Sequence, residues 1–137
     1  MSYITFIKQP LADGFLPILA SASNGDFAGS SKANIYPDEF KYFAQRLSAY
    51  PREPGDQVMI TSGGDGEAWE SYLYLGVYLL ESNPRPALEV RLRRNEPEEA
   101  AGGAAFIIPA SIPLINSFGQ ALLAWLESPD DKFDFAF

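Results

Sequence analysis

Twice along this chain, runs in which apolar and polar residues alternate give way to a proline-led segment with apolar residues every three or four positions, first from Pro37 and again from Pro113. Alternation presents a single apolar face only as a β-strand, and the wider spacing presents one only as an α-helix. The chain must therefore bury sheet faces against helix stripes. With 137 residues, 47% of them hydrophobic, it carries enough apolar surface for one core and too little for two ordinary domains. The expectation is one α+β domain spanning the whole chain: a largely antiparallel, twisted sheet of about six to eight strands with two amphipathic helices on one side.

In the first half, Tyr3 to Lys8 alternates as a short strand, and Phe15 to Ser23 and Asp26 to Tyr36 read as a hairpin joined at Asn24-Gly25, where both positions tolerate positive φ. Phe27, Gly29, Ser31, Ala33 and Ile35 share a thinly apolar face that suits covering a core more than building one. Pro37 is tolerated in a first helical turn, and Asp38 and Glu39 favour the positive end of the helix dipole. The helix is expected to reach Tyr50, with Tyr36, Phe40, Phe43, Leu47 and Tyr50 on one side and Lys41, Gln45 and Arg46 on the other. Pro51, Pro54 and Gly55 stop it.

The second half opens with Val58 and Ile60 in a strand that breaks at the glycine-rich turn Ser62 to Gly66. From Glu67 to Ser82 the alternation is strict: Trp69, Leu73, Leu75, Val77 and Leu79 share one face, and Tyr72, Tyr74 and Tyr78 the other. Ala87 to Arg94 returns as the hairpin partner, with Leu88, Val90 and Leu92 inward and Glu89, Arg91 and Arg93 outward. Asn95 to Gly103 reads as an acidic, mobile loop and Ala105 to Pro109 as a short buried strand. The second helix opens near Ser111 and runs through Glu127, burying Ile115, Phe118, Leu122, Trp125 and Leu126. Phe133, Phe135 and Phe137 alternate in a last strand suited to a sheet edge, where pairing with a second copy of the chain is a natural outcome.

Composition removes much chemistry. There is no Cys and no His, so disulfides, thiolate metal sites, the Ser-His-Asp arrangement and the usual neutral-pH base are all excluded. An enzyme of this composition has to work with carboxylates, Lys, Arg, Tyr or a borrowed cofactor; Glu67 with Glu70 and Glu98 with Glu99 are the carboxylate pairs at hand. The turn Gly63-Gly64-Asp65-Gly66-Glu67 lacks both the Gly-Lys-Ser/Thr end of a phosphate loop and the alternating carboxylates of a calcium loop, and reads as a tight turn. No cofactor is called for. A net charge of −8 repels nucleic acid and anionic membranes and favours encounter with a basic protein. The N-terminal residues lack a basic segment followed by a continuous apolar run, and no apolar stretch is long enough for a membrane span, so a cytoplasmic location is expected.

Three segments, IYPDEFKYFAQRLSAYP from Ile35, YLYLGVYLLESNPRPALEVRLR from Tyr72 and AAFIIPASIPLINSFGQALLAWL from Ala104, follow an order that resembles the WapI-type immunity proteins and related small bacterial domains. The resemblance spans roughly Phe15 to Leu126, with the Pro- and Arg-containing turn at Asn83 to Pro86 as a departure from the glycine-containing turn expected there. It implies an α+β domain that binds and neutralises a cognate toxin without catalysis. The contact residues expected for a basic partner are Asp65, Glu67 and Glu70 in one turn and Glu96, Glu98 and Glu99 in the acidic loop, with Tyr72, Tyr74 and Tyr78 as anchors beside Arg91 and Arg93. The alternative is a small-molecule-binding or regulatory domain with a pocket between sheet and helices, lined by Trp69, Phe106 and Trp125.

Overall fold

The structure, a computed structural model, describes residues 1–64, 70–79 and 85–137. The described residues form β1 (Tyr3–Lys8), β2 (Leu16–Ser23), β3 (Ala28–Ile35), α1 (Pro37–Ser48), β4 (Val58–Gly63), β5 (Ser71–Leu79), β6 (Pro86–Arg94), β7 (Gly102–Pro109), α2 (Ile112–Glu127) and β8 (Lys132–Ala136). All strand pairings are antiparallel, and helices pack on the strands as the periodicity requires. The strands divide into two four-stranded sheets, in the orders β3-β2-β1-β8 and β4-β5-β6-β7, where the alternation alone allows one sheet. The division has a physical reason: each strand set carries one apolar face, and two sheets facing a common core bury both.

Local signals place the elements. Asn24 turns the β2–β3 hairpin by accepting hydrogen bonds on Oδ1 from the amides of Asp26 and Phe27, at 3.0 and 2.8 Å, while Gly25 takes a φ of 96°. In α2 the Ser111 hydroxyl accepts from the Leu114 amide at 3.3 Å, capping the helix start. α1 ends at Ser48, two residues before the expected Tyr50, yet Tyr50 is buried with Phe40, Phe43 and Leu47. Tyr36 stays exposed and stacks on Phe15, with ring centroids 4.2 Å apart. β7 starts at Gly102, earlier than expected, and a single 3-10 turn at Glu98–Ala100 fills the acidic loop before it. The last strand docks on its own chain: β8 pairs with β1, and the Phe137 amide donates to the Ser2 carbonyl at 2.9 Å.

The core has two neighbouring parts. Over β1 and β8, the ring of Phe6 touches Phe40 of α1, Trp125 of α2 and Phe133 of β8, with centroids 5.6, 6.0 and 5.7 Å apart. Over β3, the small side of the first sheet lets the second sheet approach: β3 touches all four strands of that sheet, and a Cβ on Gly29 would lie 3.0 Å from the Cβ of Ala104. The expectation that β3 covers a core is met for Ser31, Ala33 and Ile35, which are buried under the second sheet's apolar face of Val58, Ile60, Leu73, Leu75, Val90 and Leu92, whereas Phe27, expected on the same face, precedes the strand and is exposed. The sheets also meet edge to edge, the Ser62 hydroxyl accepting from the Asn34 amide at 3.0 Å and donating to its carbonyl at 3.1 Å.

The helices cross at Gly119, where an added Cβ would sit 2.5 Å from the Ser48 nitrogen and 2.8 Å from the Ala44 oxygen. Three residues earlier, Asn116 donates from Nδ2 to the carbonyls of Leu47 and Tyr50, both at 2.9 Å, and so satisfies the open end of α1. Beyond that end, Asp56 accepts from Arg46 at 2.6 Å and from the Arg52 amide at 3.0 Å. The Arg52 amide first, then the charge of Arg46, hold the Asp56 carboxyl below the usual range against the opposing effect of burial.

Two outcomes follow from this packing. Gly119→Ala gains roughly 1 kcal/mol of helix propensity but forces the helices apart, at a cost of about 1–3 kcal/mol, so urea denaturation should show net destabilisation. Because Asp56 ionises more readily in the folded chain, its contribution is complete above the unfolded carboxyl value of about 4 and is lost as pH falls through the lower folded value. Asp56→Asn should therefore lower stability at neutral pH and flatten the acid limb of the stability profile, measured by denaturation between about pH 2 and 7.

Candidate functional site

The outward face of the second sheet is set by register. Across β4, β5, β6 and β7, one row reads Gly63, Tyr72, Arg93, Gly103, the next Thr61, Tyr74, Arg91, Ala105, and the third Met59, Gly76, Glu89, Ile107. The large side chains thus stand on the two central strands, with mostly small residues beside them in the first two rows. Tyr72, Tyr74 and Tyr78 are half-buried, Arg91 is exposed, and Met59 and Ile107 are 55% and 38% exposed. No helix or strand among the described residues forms a second layer over the tyrosines.

The centre of this face is a stack. The Tyr74 ring lies over Gly76, whose added Cβ would fall 2.5 Å from the Tyr74 hydroxyl oxygen and 2.9 Å from two ring carbons. Arg91 also lies over the ring, its guanidinium carbon 4.8 Å from the centroid. Glu89 holds Arg91 in place through Oε1, which accepts from Nε at 3.0 Å and from Nη2 at 2.6 Å. That hydrogen bond is the main reason the Arg91 pKa is raised. Burial, and then the Glu89 carboxylate, raise the pKa of the Tyr74 hydroxyl. Arg93 is likewise fixed, donating from Nε to Asn95 Oδ1 at 3.0 Å. Shallow hollows of about 240 Å³ and 260 Å³ flank the stack, one beside Tyr72 and Arg93 and the other between Tyr74, Tyr78 and Met59.

Of the residues expected to bind a partner, Tyr72, Tyr74, Tyr78, Arg91 and Arg93 come together here. Glu70 and the Glu96, Glu98 and Glu99 loop meet at the adjoining end of the sheet, where the Asn95 amide donates to the Glu70 carbonyl at 2.9 Å and all four glutamates are exposed. Asp65, Glu67 and Trp69 lie outside the described residues, as do Asn83 and Pro84 of the turn. The expected apolar pocket takes a different form. Trp125 is packed against Phe6, Phe40 and Phe133, and Phe106 is buried on the inner face of the second sheet. A groove of about 550 Å³ lies instead between the start of α1, the end of α2 and the β1–β2 loop, with Leu16, Leu123 and Leu126 beside Lys8, Lys41 and Glu127. Among the described residues no three acidic side chains are grouped to hold a metal ion. No helix there is long and apolar enough to cross a membrane.

Gly76 and Glu89 are the site residues that sequence reasoning left out. A glycine inside an otherwise strict strand pattern signals a close approach, here of a ring, and a glutamate two positions before an arginine on a strand shares its face.

The stack gives a titration its sign. The Tyr74 hydroxyl should ionise above the ordinary value of about 10, and Glu89→Gln should bring it down, because an anion that disfavours the phenolate is removed. Ring Cζ shifts followed by NMR from pH 8 to 12 would register both, and an unchanged Tyr74 titration in the variant would dissolve the link. Compared with protein-family models, curated proteins and solved structures, the chain matches none.

Proposed function

We propose that this protein is a non-enzymatic interaction protein of the immunity type, which takes a basic toxin domain onto the outer face of the second sheet and the acidic end beside it. One observation carries the reading: a four-stranded face presents Tyr72, Tyr74, Tyr78 and Arg91 with no second layer of the described chain over them. Tyrosine and arginine are the residues on which protein interfaces concentrate their energy. On this face Tyr74 lies against Gly76 and Arg91 is held by Glu89, which lowers the ordering cost of association. Glu70, Glu96, Glu98 and Glu99, together with the net charge of −8, supply the field that draws a basic partner to that end.

The groove between α1 and α2 favours a second reading, a regulatory domain for a small amphipathic molecule, because its volume falls in the range of ligand pockets and its leucines sit beside charged groups of both signs.

The two readings separate in one experiment. The tagged protein and a variant with Glu70, Glu96, Glu98 and Glu99 all changed to Lys are used to capture partners from the native lysate, and the captured protein is then tested for toxicity with and without this chain. The first reading expects a basic protein whose toxicity the chain relieves and whose association slows by on the order of tenfold or more in the charge-reversed variant and at high salt, while Tyr74→Ala speeds dissociation. Association that is indifferent to salt, or a partner that stays toxic, would sink it. A metabolite that raises the melting temperature of the wild-type chain but not of Leu126→Lys would favour the groove.

A further inference from the structure

The first sheet ends at β8, and the residues of that strand alternate in the side to which they bond. The Lys8 amide donates to the Asp131 carbonyl at 2.7 Å and the Phe137 amide to the Ser2 carbonyl at 2.9 Å, with Phe133 and Phe135 opposite Phe6 and Ile4 between them. The amides and carbonyls of Lys132, Asp134 and Ala136 therefore point away from the sheet. Elsewhere such edge rungs are in use. Ser62 occupies the Asn34 rung of β3, and Asn24 donates from Nδ2 to the Ile107 carbonyl of β7 at 3.1 Å. Nothing among the described residues meets the outward rungs of β8, and Lys132, Asp134 and Ala136 are exposed. Along the inner side of the same edge Phe135 and Phe137 are half-buried, each 5.2 Å from Phe118 between centroids, so an apolar strip runs beside the open rungs.

We propose that β8 pairs antiparallel with β8 of a second copy of this chain, joining two first sheets into one continuous sheet. Outward rungs must face outward rungs, which leaves few registers. A two-fold centred on Asp134 sets that carboxylate against itself, a like-charge pair that destabilises a ladder. Centred on Phe135, the two-fold brings Asp134 opposite Ala136. Centred on Phe133, it engages equally many rungs and brings Lys132 of each copy opposite Asp134 of the other, twice by symmetry. Charge therefore selects the register centred on Phe133. Within one chain, Lys132 Nζ lies 3.5 Å from Asp134 Oδ2, with the two side chains 63% and 62% exposed, a weak contact that leaves both ends free to pair across the two-fold.

Sedimentation equilibrium of the full chain, from micromolar to several hundred micromolar at physiological salt, tests this directly. The wild type should dimerise with concentration. Asp134→Lys, which sets Lys against Lys, should weaken the dimer by on the order of tenfold, and adding Lys132→Asp should restore it. Because Asp134 also accepts a hydrogen bond from the Thr5 hydroxyl at 2.7 Å, Thr5→Val serves as the control that loses the bond but keeps the dimer. Amide exchange at Lys132 and Asp134 should slow as dimer forms. A wild type that stays monomeric, an Asp134→Lys variant that dimerises like the wild type, or a folded double variant that stays monomeric would each overturn the proposal.

Discussion

One aromatic ring ties the chain together. Phe6 is 1% exposed and touches both helices and the last strand at once, so it joins residues from four distant stretches of sequence in a single contact set. Burying a ring of this size is worth about 2–3 kcal/mol, and the geometry adds roughly another 0.5–1.5 kcal/mol per well-oriented pair. The neighbouring contacts depend on it. Trp125 is positioned against Phe6 and Phe133, and Lys8, two residues along β1, lies 4.6 Å from the Trp125 centroid while donating to the carbonyls of Trp125 and Ser128, both at 2.9 Å. A lysine thereby caps the negative end of α2, where a cation is favoured.

With the β1 and β8 side of the core filled by rings, the other side is filled by contact between sheets. The small residues of β2 and β3, from Ala20 and Ala22 to Gly29 and Ala33, keep that half of the first sheet low enough for Leu92 and Ala104 to reach it. The second sheet thus spends its apolar face inward, and its outward face is left to the tyrosines and arginines. Large residues on β1 and β8 and small residues on β3 are in this sense the reason the candidate interface is a sheet face with no helix of the described residues upon it.

Much of this is legible in the sequence. Strict alternation from Tyr72 to Val77 and from Leu88 to Arg93 assigns the faces of β5 and β6 residue by residue, and Pro37, Ser111 and Pro113 mark both helix starts. What periodicity does not carry is partnership between distant segments. The way the two sheets meet turns on Ser62 meeting Asn34 and on Gly29 meeting Ala104, contacts that leave no trace in local spacing. Trp125 reads equally well as a pocket wall or as core, because a helix stripe says which side is buried and not what lies against it. The Tyr74 stack is half legible: the ring and Arg91 are set opposite by register, whereas the flat pose of the ring depends on the missing Cβ of Gly76.

The pairing of β1 with both β2 and β8 has a kinetic consequence. Its hairpin with β2 needs only a short loop to close, but its other edge and the contacts of Phe6 with Trp125 and Phe133 wait for residues more than a hundred positions later. During synthesis β1 therefore carries one unsatisfied edge until β8 leaves the ribosome. Contacts of such long sequence separation slow folding, since loop closure must precede the contacts that reward it. In the finished fold, with Ser2 and Phe137 hydrogen-bonded to each other, anything joined to either terminus departs from the same corner of the molecule.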